Sequence, residues 1–383
     1  MNDIGGSCSG PAKTRERFMD IIYTPVWQNP GNIRSPLQFV QDELSLMEKV
    51  EGLGFDICCS PEHHFDIDYS ACPDNFLPLS YLAAKTTTLK LCLGAVILPW
   101  NDPLRVVEKL AFLDHLSGGR CIAGFGRGLA KMEYSHMGIP MDESRERFDE
   151  ALEMVLSALR SGVIEGTGKY YPQTPTPVHP APRASLADSF CAVGMSPESS
   201  RTAGEIGGRL LTFVTKPLDG MLPLLNEYRD AFRAHHPNRQ PHIIMDDFYL
   251  IREDADEARE LAYTYAGNYY QTVVRHYEMT GDHFAKSSAY QSYAEGAAAL
   301  REMGVDAAAR AYVDAQVGVG TPAQVLARVE ERLRVLGPEI SLAGCFFYGG
   351  MSRDEAMVSL QLFGDKVIPD ARAMARDYAT AAV

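Results

Sequence analysis

The chain has 383 residues, 46% of them hydrophobic and 22% charged, which is ample apolar material for a globular core and too much length for a small two-layer domain. Its formal charge of −14, with no run of clustered Lys and Arg, argues against a nucleic-acid or anionic-membrane surface, because the summed field repels phosphates. There is no apolar run of the ~18 residues a bilayer span requires, and the opening 1–17, rich in Gly, Ser and charge, lacks the core of a secretory signal. The chain reads as cytoplasmic, with 1–17 a flexible arm.

Short apolar runs alternate with segments of helical period from 19–26, the first strand expected. Ser35-Pro36 reads as an N-cap and first helical position, and Leu37, Val40, Leu44, Met47 and Val50 follow at helical spacing until Gly54. The run 55–60 is the next strand, followed by a helix at 76–87 and a strand at 89–98. Asp102-Pro103 opens a helix that Gly118-Gly119 ends, and 121–125 returns as a strand. A helix carrying Phe148, Leu152, Val155, Leu156 and Leu159 precedes a strand at 190–194 and a helix starting at Ser196-Pro197. Further strands fall at 209–215, 242–251 and 340–348. Eight alternations of strand and helix predict an α/β fold, a (β/α)8 TIM barrel with insertions after its strands, in one domain from 18 to 383.

Two stretches break the rhythm. Segment 166–188 carries Pro172, Pro175, Pro177, Pro180 and Pro182, so it is expected as a non-helical excursion at one end of the barrel. Segment 267–320, aromatic and then Ala-rich, is expected as a lid or binding loop. Thr321-Pro322 restarts a helix, and Ser352 with Glu355 forms a capping box. Six of the eight cysteines fall in strand-like runs and Cys8 and Cys72 in loops. With no Cys-x-x-Cys pair they read as free thiols.

In a parallel barrel the residues just past the strand ends face the active site, and Glu62, His63 and His64 stand there after the second strand. Adjacent side chains on an extended segment point to opposite sides, so the histidines should have different jobs and make a poor chelating pair. No metal site is expected from this motif. Gly124-Phe125-Gly126-Arg127-Gly128 lacks the third glycine of a dinucleotide fingerprint, Leu129 standing in that place. Glycines beside Arg127 suit the approach of backbone to a phosphate or planar ring. Ser196, Ser199 and Ser200 stand where helix N–H groups attract an anion.

With these residues placed, the sequence resembles the bacterial luciferase-like family of flavin-dependent monooxygenases, and its α-subunit type in particular. The matching stretches are Glu62-His63-His64-Phe65, Leu93-Gly94-Ala95-Val96-Ile97-Leu98-Pro99, Leu113-Asp114-His115-Leu116-Ser117-Gly118-Gly119-Arg120, Gly126-Arg127-Gly128-Leu129, Val319-Gly320-Thr321-Pro322 and Leu360-Gln361-Leu362-Phe363. The resemblance implies a barrel that takes reduced FMN from a separate flavin reductase, reacts it with O2 to a C4a-peroxyflavin, and oxygenates an organic small molecule. It implies His63 as the catalytic histidine with His64 beside it, Arg127 on the flavin phosphate, and Ser196 and Ser199 at the anion-binding helix start. Gly94, Ala95 and Val96 would run beside the isoalloxazine, and Glu62, Gly126, Gly128, Leu129 and Met195 complete the expected cofactor contacts.

Two departures stand out. Gly126 replaces the family's reactive cysteine, which is expected to leave room for a larger substrate, and Met195 replaces a glutamate near the phosphate. Light emission is not implied. A homodimer is expected by analogy. Two alternatives remain: a deazaflavin (F420)-dependent hydride-transfer oxidoreductase on a related barrel, and a non-catalytic partner subunit.

Overall fold

The computed structural model describes residues 19–287 and 290–381, so the expected arm at 1–17, and Cys8 within it, lie outside the described residues. Among the described residues eight parallel strands close into a barrel: β1 (Ile21–Tyr23), β2 (Ile57–Ser60), β3 (Lys90–Leu93), β4 (Cys121–Gly126), β5 (Phe190–Val193), β6 (Arg209–Phe213), β7 (Ile243–Phe248) and β8 (Ile340–Cys345). Each pairs with its neighbour in sequence, β5 with β4 through Phe190 and Ala123, and β8 closes on β1 through Leu342 and Ile21. All eight strands expected from sequence are therefore present in the expected order.

The barrel interior is filled from every strand, by Ile22, Ile57, Cys59, Cys92, Ile122, Cys191, Leu211, Ile244 and Ala343. Three thiols serve here as small apolar fillers. Among the described residues the cysteines are all unpaired and buried, including Cys72, which ends a strand (Ser70–Cys72) instead of lying in a loop.

Helix starts follow the capping chemistry. Ser35 Oγ accepts from Gln38 N at 3.2 Å and Asp102 Oδ1 from Arg105 N at 3.2 Å. Reciprocal boxes join Ser196 with Ser199, Thr321 with Gln324 and Ser352 with Glu355. The first helix stops at Met47, short of Gly54, and turns carry the buried Val50 on to β2.

The Pro-rich excursion is an antiparallel hairpin, Val163–Gly166 with Gln173–Pro177. It packs on helix Ser144–Ser161, where Glu150 accepts from Tyr170 N and Tyr171 N, and reaches the loop after β3 through Tyr171 Oη, which donates to Pro99 O at 2.9 Å. Among its described residues, segment 267–320 is mostly helical. Its aromatic half belongs to helix Ala255–His276, capped by Asp254, whose small residues Ala258, Ala262 and Ala266 recur every fourth position on the buried face. Helices His283–Lys286, Ala294–Met303 and Val305–Asp314 follow, and Val319–Gly320 pairs with Leu250–Ile251 to return the chain to the barrel. Among the described residues no helix is long and apolar enough to cross a membrane.

Burial leaves Glu43 mismatched with its surroundings. Glu43, fully buried on helix Pro36–Met47, accepts from Trp27 N at 2.9 Å through Oε1 while Oε2 has no partner. Burial pushes its pKa up to about 8, against the lowering effect of the Trp27 N–H and of Arg34. The unfolded chain releases this proton near 4.5 and the folded chain near 8, so stability falls as pH rises through that window and is unaffected below it. Glu43→Gln, which keeps the neutral shape, is expected to raise the melting temperature at about pH 8 and to change it little at about pH 4. Equal changes at both would contradict the assignment.

Candidate active site

The chain leaves β2 through Pro61 and Glu62 into a small hairpin, His63–Asp66 against Ser70–Cys72, over the C-terminal mouth of the barrel. Because the segment is extended, its two histidines part company as expected. His64 turns to Glu62, with Nε2 3.2 Å from Oε1, and its ring meets Trp100 edge-on. His63 turns the other way, with Nδ1 3.1 Å from Glu133 Oε1 and its ring edge-on to Tyr69 at 4.9 Å.

Glu133 stands on helix Lys131–His136 just past β4, and the insertion brings His276 to it from the opposite side. One oxygen, Glu133 Oε1, faces His63 Nδ1 at 3.1 Å, the His64 N–H at 2.8 Å and His276 Nε2 at 3.7 Å. His276 Nδ1 lies 3.1 Å from Asp66 Oδ2, and its ring stacks on Tyr69 at 4.2 Å. Burial favours neutral Glu133, but the neighbouring His63 and His276 outweigh it and hold its pKa well below the carboxylate range. Burial likewise opposes charge on His276, and Asp66 and Glu133 override it, so the His276 pKa is raised. The buried carboxylate is thus ionised and can only accept, which puts a proton on His63 Nδ1.

Neither Glu133 nor His276 was singled out in the sequence. The available signal for Glu133 was its place one short turn beyond a strand end, and for His276 its place on a helix whose small residues recur every fourth position.

The remaining expected site residues divide into two groups. Glu62 spends both oxygens on the chain itself, accepting from Ile97 N at 3.1 Å, Trp100 Nε1 at 2.7 Å and Asn101 Nδ2 at 2.9 Å. It pins the loop after Gly94, Ala95 and Val96, where the short strand Val96–Ile97 lies beside Phe125 and Gly126 of β4. Gly126 does not open room for a larger substrate. A Cβ there would lie 2.9 Å from Ile97 Cδ1 and 3.2 Å from Ala95 Cβ, so the glycine admits neighbouring strands. Gly128, at φ +78°, gives way in the same manner to Trp100 and Ile97, and Leu129 packs against the insertion cluster of Phe284, Tyr290 and Ala297.

Arg127 and the serines form the second group. The Arg127 guanidinium lies 4.3 Å over the Tyr290 ring, and Tyr290 Oη donates to Gly128 O at 2.7 Å, so the insertion touches this corner too. Ser196 Oγ accepts from Ser199 N at 3.2 Å, while Ser199 Oγ accepts from Ser196 N at 3.0 Å and Met195 N at 3.1 Å. Met195 Sδ accepts from Phe213 N at 3.3 Å, so that side chain is turned toward β6. Arg145, which sequence reading passed over, pairs with Glu198 on the same helix turn at 3.0 Å. The buried hydroxyl of Ser200 has no hydrogen-bond partner. Two arginines and a helix start whose N–H groups are held only by rotatable hydroxyls fit a phosphate monoester.

Comparison with known proteins gives one family match: the family described as luciferase-like monooxygenase matches residues 19–339. Limonene 1,2-monooxygenase of Rhodococcus erythropolis is 28% identical over 193 residues, 50% of this chain and 49% of that protein, so the chain spans about half the length of the first curated relatives it matches. The alkanal monooxygenase alpha chain of Photobacterium leiognathi is 25% identical over 90% of this chain and 96% of its own. Among solved structures, monooxygenase RslO1 from Streptomyces bottropensis superposes with a TM-score of 0.69 at 25% identity, over 92% of this chain and 99% of that one. The same fold, at a TM-score of 0.63 and 20% identity, is that of the coenzyme F420 dependent tetrahydromethanopterin reductase from Methanopyrus kandleri, covering 93% and 99% of the two chains.

Proposed function

The chain belongs to the luciferase-like monooxygenase family, and from that premise we propose that it takes reduced FMN from a separate reductase and uses O2 to oxygenate an apolar organic small molecule. The observation that carries this reading is the His63–Glu133 pair, a histidine of fixed tautomer held at the barrel mouth beneath a helical cover. When bound, reduced FMN supplies the two electrons that activate O2. The chain's own task is to place that group, keep water away and manage one proton.

Placement falls to Arg127, Arg145 and the turn Ser196 to Ser199 at the phosphate end, and to the loop pinned by Glu62 at the ring end. Water is held back by the insertion. Tyr277 Oη and Tyr69 Oη lie 2.8 Å apart across the seam between insertion and hairpin, leaving the His63 side chain only 19% exposed. The proton belongs to His63, whose Nε2 exchanges it while Glu133 anchors Nδ1. Tyr69, Tyr269, Phe248 and Tyr312 form a chain of ring contacts around the mouth, which suits an apolar substrate such as the relative's limonene.

An F420-dependent reading shares this fold, and anaerobic titration separates the two. Reduced FMN is expected to bind in preference to reduced F420, and Arg127→Met to weaken FMN about 10- to 100-fold, the worth of a charge-assisted phosphate contact. Preference for F420, or an unchanged affinity in the variant, would overturn the reading.

A further inference from the structure

We infer that His63, Glu133 and His276 form a binding site for one divalent transition-metal ion of the zinc type. Their ligand atoms, contributed by the hairpin, the turn after β4 and the insertion, all lie within 4.8 Å of one another. Around a four-coordinate zinc with bonds of about 2.1 Å, ligand atoms stand about 3.4 Å apart. The separations from Glu133 Oε1 bracket that value, 3.1 Å to His63 Nδ1 and 3.7 Å to His276 Nε2. The His63 side chain is the most exposed of the three.

Two independent features point to a ligand. His276 Nε2 is fully buried and faces Glu133 Oε1 at 3.7 Å without forming a hydrogen bond, a strained arrangement for a ring nitrogen that a metal ion between the two would relieve. His276 Nδ1 meanwhile rests on Asp66 Oδ2 at 3.1 Å, the outer carboxylate that orients metal-bound histidines and strengthens them as donors. Two imidazoles and one carboxylate select zinc, cobalt(II) or nickel over calcium and magnesium, which take oxygen ligands throughout. Three protein ligands leave a fourth position for water and make the ion exchangeable. A bound ion would occupy His63 Nδ1 and pin the insertion helix to the hairpin, so it acts as an inhibitor held in the site itself. Binding to the flavin-free protein does not depend on the proposed monooxygenase activity.

The test is a cobalt(II) titration of untagged, flavin-free, chelator-treated protein, followed by the visible absorption of four-coordinate cobalt. One equivalent is expected to bind, to be displaced by zinc, and to lose its band in His276→Gln, with folding checked by circular dichroism. Asp66→Asn should weaken the affinity roughly 10- to 100-fold. If His276→Gln does not fold, His63→Ala removes a ligand from the partly exposed hairpin and must lose the band instead. No visible band in the wild-type protein, or an undiminished band in the folded ligand variant, would show that the three side chains are only ion-paired.

Discussion

Replacing His63 by alanine is expected to lower the yield of oxygenated product per flavin oxidised by about 10²- to 10⁴-fold, the range of a lost general acid–base group. The ring sits at the mouth with its Nδ1 fixed by an ionised carboxylate, so on the proposed mechanism the loss removes the proton-exchanging nitrogen and leaves the barrel untouched. His64→Ala is the informative control. His64 packs between Glu62 and Trp100, so its removal should loosen the loop after Val96 and weaken flavin binding, with a smaller effect on the product yield of the flavin that remains bound. Product yield from saturated His63→Ala equal to that of the wild type would remove His63 from the chemistry.

The second large effect lies behind the site. Arg332 on helix Pro322–Leu336 grips Asp247 of β7 with both terminal nitrogens, at 2.5 and 2.9 Å, and Asp247 Oδ1 also accepts from Val317 N at 2.9 Å. Both side chains are almost wholly buried. Arg332→Met strands a buried carboxylate and is expected to destabilise the fold by about 3–5 kcal/mol in urea denaturation. The double change Arg332→Met with Asp247→Leu removes both charges and should recover much of that loss. A single variant as stable as the wild type would mean that the pair is not buried in solution. Because Val317 begins the return of the insertion to the barrel, the single change should also loosen the cover over His63.

The barrel was legible in the sequence because strands buried on both faces read as unbroken apolar runs, and the helix starts because Ser35, Asp102, Ser196, Thr321 and Ser352 cap by local chemistry. The helical period of 267–320 was hidden because its residues are aromatic and polar, and the helix that enters it starts earlier, where Ala258, Ala262 and Ala266 set the buried face. The glycines near Arg127 look like a ligand cradle in sequence, but Gly126 and Gly128 make room for Ile97, Ala95 and Trp100. The pairing of Glu133 and His276 with His63 was not legible for a different reason. Glu133 stands 70 positions from its partner His63, and only closure of the barrel and docking of the insertion join them.

Rapid mixing of the protein and reduced FMN with oxygenated buffer, followed by absorbance, tests directly whether the barrel controls the reaction of its flavin with O2. Bound reduced flavin is expected to be oxidised more slowly than free flavin, through a distinct spectral phase that His63→Ala shortens. Oxidation at the rate of free flavin, without that phase and unaltered by candidate apolar substrates, would contradict it.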